Sequence, residues 1–472
     1  MQRKVLVATV AAAPILALAF GASAETSVST ARTTPVATST AGTGSTADDV
    51  KVTAEGSVKL TGAGALITLD SNNKVSNLGT LSTVGVNDST GVLILGGRTG
   101  SLSNALAISL TEDYTPTDSD SDGDLDGAFA QGTNRYGIRL TSPGIFTGNI
   151  VNEAAGQITV EGNSSAGVSL ETGLVGNFTN NGSVTVVGNN SAGIKVTGPV
   201  TGKVTVNGGV SVLGENAVGV AVDGAVTGAV VIQGGITATG YRYTSRPALA
   251  TDRAKLDADD LLQGGSAVRV TASVSGGVLL DAPPVESNAN STDDDGDGIT
   301  DTAEGTSALT VNGSAPALLI GSDTQAITLG VVGTGDKAYG LVTRGGITAN
   351  GVFDGKSSTA IQIGGNTGQT TTVTNGARLA STITASAYEA NATGVNLMAG
   401  AVVPSVYNQG SITAFTVSEG SFDARGIAIQ AGASTTSFRN DGSITASVGG
   451  EKGNAFGVID YSGLLTSVQN NG

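Results

Sequence analysis

Gly156-Gln157-Ile158-Thr159-Val160, Gly182-Ser183-Val184-Thr185-Val186, Gly208-Gly209-Val210-Ser211-Val212 and Gly234-Gly235-Ile236-Thr237-Ala238 are one phrase written four times, at a spacing of 26 residues. Stacking the four copies produces columns. Ile158, Val184, Val210 and Ile236 form one; Val168, Ile194 and Val220 a second; Leu170, Val196 and Val222 a third. Leu174, Val200 and Val226 align, as do Phe178, Val204 and Val230. Thr159, Thr185, Ser211 and Thr237 fall between them, the two-residue alternation of a strand with one buried face. Three short strands per repeat, with aliphatic columns at constant period, predict an all-β fold, a right-handed parallel β-helix. Each coil pairs with the next at about 4.8 Å. A β-sandwich is the structural rival, but it requires no column-by-column match. Gly167, Gly193 and Gly219 share one place and Gly176, Gly202 and Gly228 another; both read as corners.

Outward from this core the pattern loosens but persists. It begins near Ser57-Val58-Lys59-Leu60, restarts at Thr306-Ser307-Ala308-Leu309, and continues as Asn408-Gln409-Gly410-Ser411-Ile412-Thr413 and Asn440-Asp441-Gly442-Ser443-Ile444-Thr445. The Asn and Gly of these phrases read as turns that launch strands. Val468-Gln469-Asn470-Asn471-Gly472 opens the same phrase again, so the expectation is a piece of a longer repeat protein.

The N-terminus reads as a secretory signal over 1–24. Arg3 and Lys4 precede an apolar run from Val5 to Phe20, and Ala22-Ser23-Ala24 is a small-x-small cleavage pattern. Residues 25–49 are rich in Thr, Ser and Ala and read as a flexible lead-in. The β-helix is expected over 50–472, with insertions near 111–135, 241–264 and 283–306. With 71 Gly, no Cys and a net charge of −16, stability must come from packing and backbone pairing. The acidic balance excludes nucleic acid as a partner, since phosphates demand a basic face.

The insertion Asp293-Asp294-Asp295-Gly296-Asp297-Gly298-Ile299-Thr300-Asp301-Thr302-Ala303-Glu304 places oxygen ligands at loop positions 1, 3, 5, 7, 9 and 12 and glycine at 6. That pattern predicts Ca²⁺ held by Asp293, Asp295, Asp297, Asp301 and Glu304, with the carbonyl of Ile299 as a further ligand. A second acidic stretch, with Asp118, Asp120, Asp122, Asp124 and Asp126, starts in the same register. It has Phe129 at position 12, where a bidentate carboxylate normally closes the site, and reads as the weaker candidate. Residues Tyr241 to Gln263 suggest a short helix and a lid over a coil edge.

Catalytic constellations are sparse. The absence of His and Cys removes imidazole relays and thiol nucleophiles. Gly351-Val352-Phe353-Asp354-Gly355-Lys356-Ser357 approaches a phosphate-cradling loop but is one residue short between its glycines.

The Cys-free, Gly/Thr/Ser-rich solenoid with its Asn-x-Gly-Ser-Ile-Thr phrases resembles the passenger region of bacterial autotransporters, over roughly 50–472. The resemblance implies an exported, non-enzymatic protein at the cell surface that binds surface ligands or other cells. It also implies attachment to the outer membrane through a C-terminal barrel outside these residues. A polysaccharide-active enzyme of the pectate-lyase-like type and a structural surface-layer protein are the alternatives. The loop at 293–304 also looks like thrombospondin type 3 and related bacterial calcium repeats, although here it stands alone.

Overall fold

The aliphatic columns are the interior of the molecule. Val184 pairs with Val210 and Val210 with Ile236 in parallel register, and all three side chains are at most 2% exposed. Thr185, Ser211 and Thr237 run beside them on the outer face. The computed structural model describes residues 25–119, 123, 125–285 and 291–472, and among these the chain winds as a right-handed parallel β-helix. Three long parallel sheets of 14, 13 and 13 strands form its faces. Every third strand in chain order belongs to the same sheet over most of the rod, so each coil contributes one strand to each face. One continuous cluster of Val, Leu, Ile, Ala and Phe fills the interior from Val28 to Phe438. The column through Leu174, Val200 and Val226 is a corner held by single parallel bridges.

Three features differ from the sequence reading. Residues 25–49 are not a loose lead-in but the first coil. Glu25–Val28 pairs with Asp49–Val52, Ala31–Arg32 with Ser57–Lys59, and Val36–Ala37 with the strand Gly64–Leu69. A single inward residue, Val28 or Val36, suffices for its strand because the next coil supplies the remaining contacts. The predicted signal segment 1–24 lies outside the described residues.

The glycines Gly167, Gly193 and Gly219 are not corners. They sit inside strands of the third sheet, where a Cβ on Gly167 would come 2.2 Å from Val184 Cγ1. They leave room for the branched side chains of the second sheet. Gly176 does mark a corner, with φ of +147° and no room for a Cβ against the carbonyl of Gly148.

The asparagines of the repeated phrase are interior residues rather than turn residues. Asn77, Asn104, Asn152 and Asn180 lie in one column of the first sheet, fully buried. Asn77 donates Nδ2–H to Asn104 Oδ1 at 2.7 Å, Asn104 to Asn152 at 2.7 Å, and Asn152 to Asn180 at 2.8 Å. The ladder resumes at Asn408, Asn440 and Asn470, with amide contacts of 2.6 and 2.7 Å. Between the two stretches the same column carries Val206, Ile232, Leu280, Thr343 and Leu379.

The insertions leave the coil at three places: between Ala107–Thr111 and Arg135–Thr141, between Gly235–Thr239 and Val268–Val270, and between Val278–Leu280 and Ala308–Asn312. Among the described residues no helix is long and apolar enough to cross a membrane.

Candidate metal centre

The corner that follows the first sheet stacks three polar residues in consecutive coils: Gln233, Asp281 and Arg344. Their backbone N–H groups donate to Val206, Ile232 and Leu280, one coil back in each case. Gln233 Nε2 donates to Asp281 Oδ2 at 2.8 Å. The insertion that leaves the coil after Asp281 returns its acidic loop to this same corner. There the carboxylates of Asp281, Asp295, Asp297 and Glu304 each bring an oxygen within 4.8 Å of the others. Arg344 Nη1 lies among them, 3.0 Å from Asp281, 2.9 Å from Asp295 and 2.5 Å from Asp297.

Of the predicted ligands, Asp295, Asp297 and Glu304 converge on the centre. Asp293 does not join that group. Its carboxylate accepts N–H bonds from Gly296, Asp297 and Gly298 and thereby shapes the turn. Asp301 accepts the N–H of Asp294 at 3.1 Å. Ile299 donates its N–H to Asp297 Oδ1, and its side chain packs against a small cluster of Val231, Leu279, Val332 and Val342. Asp281 and Arg344 are the members that local spacing does not show, because they come from the coil corner. The recurrence of a polar residue directly after most strands of the first sheet, as at Glu153, Asn181, Asn207 and Gln233, is the signal that points to them.

Four carboxylates against one guanidinium leave an excess of negative charge. Burial, reinforced by Asp281, Asp295 and Asp297, pushes the Glu304 carboxyl up to about 8, while Arg344 opposes the shift. Asp295 is pushed up to about 6, chiefly by burial, with Arg344 opposing and Asp297 adding. Asp281 is raised as well, again first by burial. Both oxygens of Glu304 are shielded from solvent and accept no hydrogen bond. Such oxygens fit a hard cation, which takes six to eight oxygen donors and tolerates irregular geometry. Arg344 supplies part of the same charge from within the chain.

The weaker acidic stretch is placed differently. Asp120, Asp122 and Asp124 lie outside the described residues, and Asp118 sits in the loop beside Ser119. Asp126 accepts the Ser119 hydroxyl at 2.6 Å and lies with Asp257 and Asp259, which belong to the second insertion. The two insertions also meet through the Gly127 N–H, which donates to Asp259 Oδ2 at 2.7 Å, and through Arg242, whose guanidinium lies 4.5 Å from the Phe129 ring centroid. The predicted helix in the second insertion is a single turn, Ala250–Arg253. Tyr241 anchors the segment, edge-on to Phe353 with ring centroids 4.8 Å apart.

A buried ion pair closes the base of the first insertion. Arg135 Nη1 and Glu112 Oε1 are 2.6 Å apart, with side chains 2% and 6% exposed. Arg135 also donates to the carbonyl of Val86, and Glu112 accepts the N–H groups of Gln131 and Gly132.

The chain matches no protein-family model, no curated protein and no solved structure.

Proposed function

We propose that this chain is the passenger of an autotransporter: an exported, non-enzymatic rod at the cell surface that binds surface ligands or other cells along its length. The observation that carries the reading is the unbroken stack of parallel coils from Glu25 to Asn470. Such a stack folds by adding one coil to the last, which suits a chain that emerges progressively through an envelope. The lack of cysteine fits the same route, because no covalent loop has to be passed. The test is protease shaving of intact cells that carry the chain with its native flanks. Digestion before the envelope is broken supports surface display. Protection until lysis overturns it.

Calcium belongs to the same proposal. Asp281, Asp295, Asp297 and Glu304 would hold it, with the ion replacing part of the charge compensation now given by Arg344. The ion would order the 291–306 loop once the chain is outside the cell. Thermal unfolding in EDTA and in millimolar calcium checks this: a higher melting temperature with calcium is expected, and identical curves argue against an ion there.

A further inference from the structure

The outer face of the third sheet carries a groove of about 710 Å³ that crosses five consecutive coils, from Tyr136 to Arg269. At the strand spacing of about 4.8 Å these coils span roughly 19 Å along the rod. The floor is made of small residues, among them Ala166, Ser169, Ala192 and Ala221, which are nearly inaccessible although they face outward. One wall is the corner column Asn134, Ser164, Asn190 and Asn216. All four are exposed and adopt left-handed backbone conformations, with φ between 51° and 58°. They present a row of amides and a hydroxyl.

The other side of the groove is charged in a regular way. Arg139, Ser169, Lys195, Ala221 and Arg269 occupy one register column, so a cation recurs on every second coil. Glu171 and Asp223 stand on the intervening coils. Arg139 makes two contacts with Glu171, at 2.8 and 3.0 Å, and Arg269 two with Asp223, at 3.2 and 2.8 Å. Each outer cation is thus neutralised by a carboxylate. Lys195, between them, is exposed and forms no ion pair among the described residues. Past Arg269 a second hollow of about 410 Å³ continues over Thr271, Ser322 and Asn366.

We propose that this groove binds an extended acidic glycan, with hydroxyls met by the amide and hydroxyl wall and a carboxylate or sulfate met by Lys195. The inference rests on the reading of the chain as a binding rod and names its ligand class. The coil rise is close to the length of one sugar unit in an extended chain, so successive units meet successive rungs. A peptide is disfavoured because the floor strands are paired on both edges and offer no edge for strand addition. Nucleic acid is disfavoured by the net charge of −16 and because, among the described residues, the groove has one cation without an ion pair.

The experiment is affinity electrophoresis of the purified chain in gels containing polygalacturonate or neutral dextran, with Lys195→Glu beside Lys203→Glu. Lys203 is an exposed lysine outside the groove, so the two variants carry the same net charge. Both are exposed positions, and thermal unfolding confirms that each variant folds. Retardation by polygalacturonate is expected. Lys195→Glu should weaken it at least about fivefold, more than the loss of an ordinary surface pair, and Lys203→Glu should leave it unchanged. No retardation, equal retardation by dextran, or equal losses in the two variants overturns the proposal. Protease shaving of cells is unaffected by any of these results, so a failure here leaves the surface-display reading standing.

Discussion

One interior column of the first sheet is filled in two ways. Near the N-terminal coils, and again near the last ones, it is a ladder of asparagines whose amides hydrogen-bond from rung to rung. In the middle it is Val206, Ile232 and Leu280, followed by Thr343 and Leu379, so only the Thr343 hydroxyl interrupts an aliphatic filling. The backbone register is the same in both. The aliphatic stretch gains from burial alone and tolerates any branched side chain of similar volume. The amide stretch gains little net energy per bond, but a slipped rung leaves a buried amide unpaired, which costs about 1–3 kcal/mol. Aliphatic rungs therefore supply stability and amide rungs supply register. The acidic corner is a third case, in which the polar group is ionisable and its partners come from an insertion.

The comparison breaks most visibly where a charge enters the aliphatic interior, for which the Val184, Val210 and Ile236 column of the second sheet serves. Val210→Asp places a carboxylate in an interior with no partner and should cost more than about 4 kcal/mol in urea unfolding. Its neighbour Ser211 faces outward, and Ser211→Asp should stay within about 0.5 kcal/mol. Equal effects at the two positions would mean that the alternation does not separate inside from outside. Next comes Arg344→Met. It strips three buried or half-buried carboxylates of their cation and should cost about 3–5 kcal/mol at pH 8 in EDTA. Calcium should restore much of that loss, and a variant indifferent to calcium would remove the ion from the account of this corner.

A smaller effect sharpens the distinction between ladder and aliphatic column. Asn152→Val leaves the Asn104 amide without its acceptor and the Asn180 carbonyl without its donor, and should cost about 1–3 kcal/mol. Replacing Asn77, Asn104, Asn152 and Asn180 together should cost less than the sum of the four single changes, because no orphaned amide remains between neighbours. Additive losses would show that each asparagine acts alone.

The fold was legible because the columns recur at constant spacing, and a constant spacing of aliphatic residues has few physical explanations other than stacked coils. What averages over a segment misled. Residues 25–49 look too polar for a core, yet one Val per strand is enough when the neighbouring coil covers it. Asn408 and Asn440 looked like turn residues because Asn and Gly favour turns. Their fixed place in the phrase was the better signal, since a turn has no need of the same residue at the same rung. The calcium pattern located Asp295, Asp297 and Glu304. It could not show Asp281 and Arg344, which reach the loop only through the stacking of Gln233, Asp281 and Arg344 in consecutive coils.

That corner also carries the gentlest prediction, because it runs against the usual behaviour of carboxylates. Glu304 is pushed up to about 8 and Asp295 to about 6 in the folded chain, from ordinary values of 4.5 and 3.8. The folded state therefore holds more protons than the unfolded state between those limits. Stability contributed by these two groups is fully present below about pH 4 and is lost as the pH rises, through 6 for Asp295 and through 8 for Glu304. In EDTA the melting temperature should fall from pH 5 to pH 8. Calcium competes with the protons for the same oxygens, so its addition should flatten the slope and raise the curve most at pH 8. Glu304→Gln should remove the upper part of the fall, because a neutral side chain at that place has no proton to lose. If the variant keeps the full slope, the titrating group is elsewhere, and the excess negative charge at this corner is already balanced by Arg344.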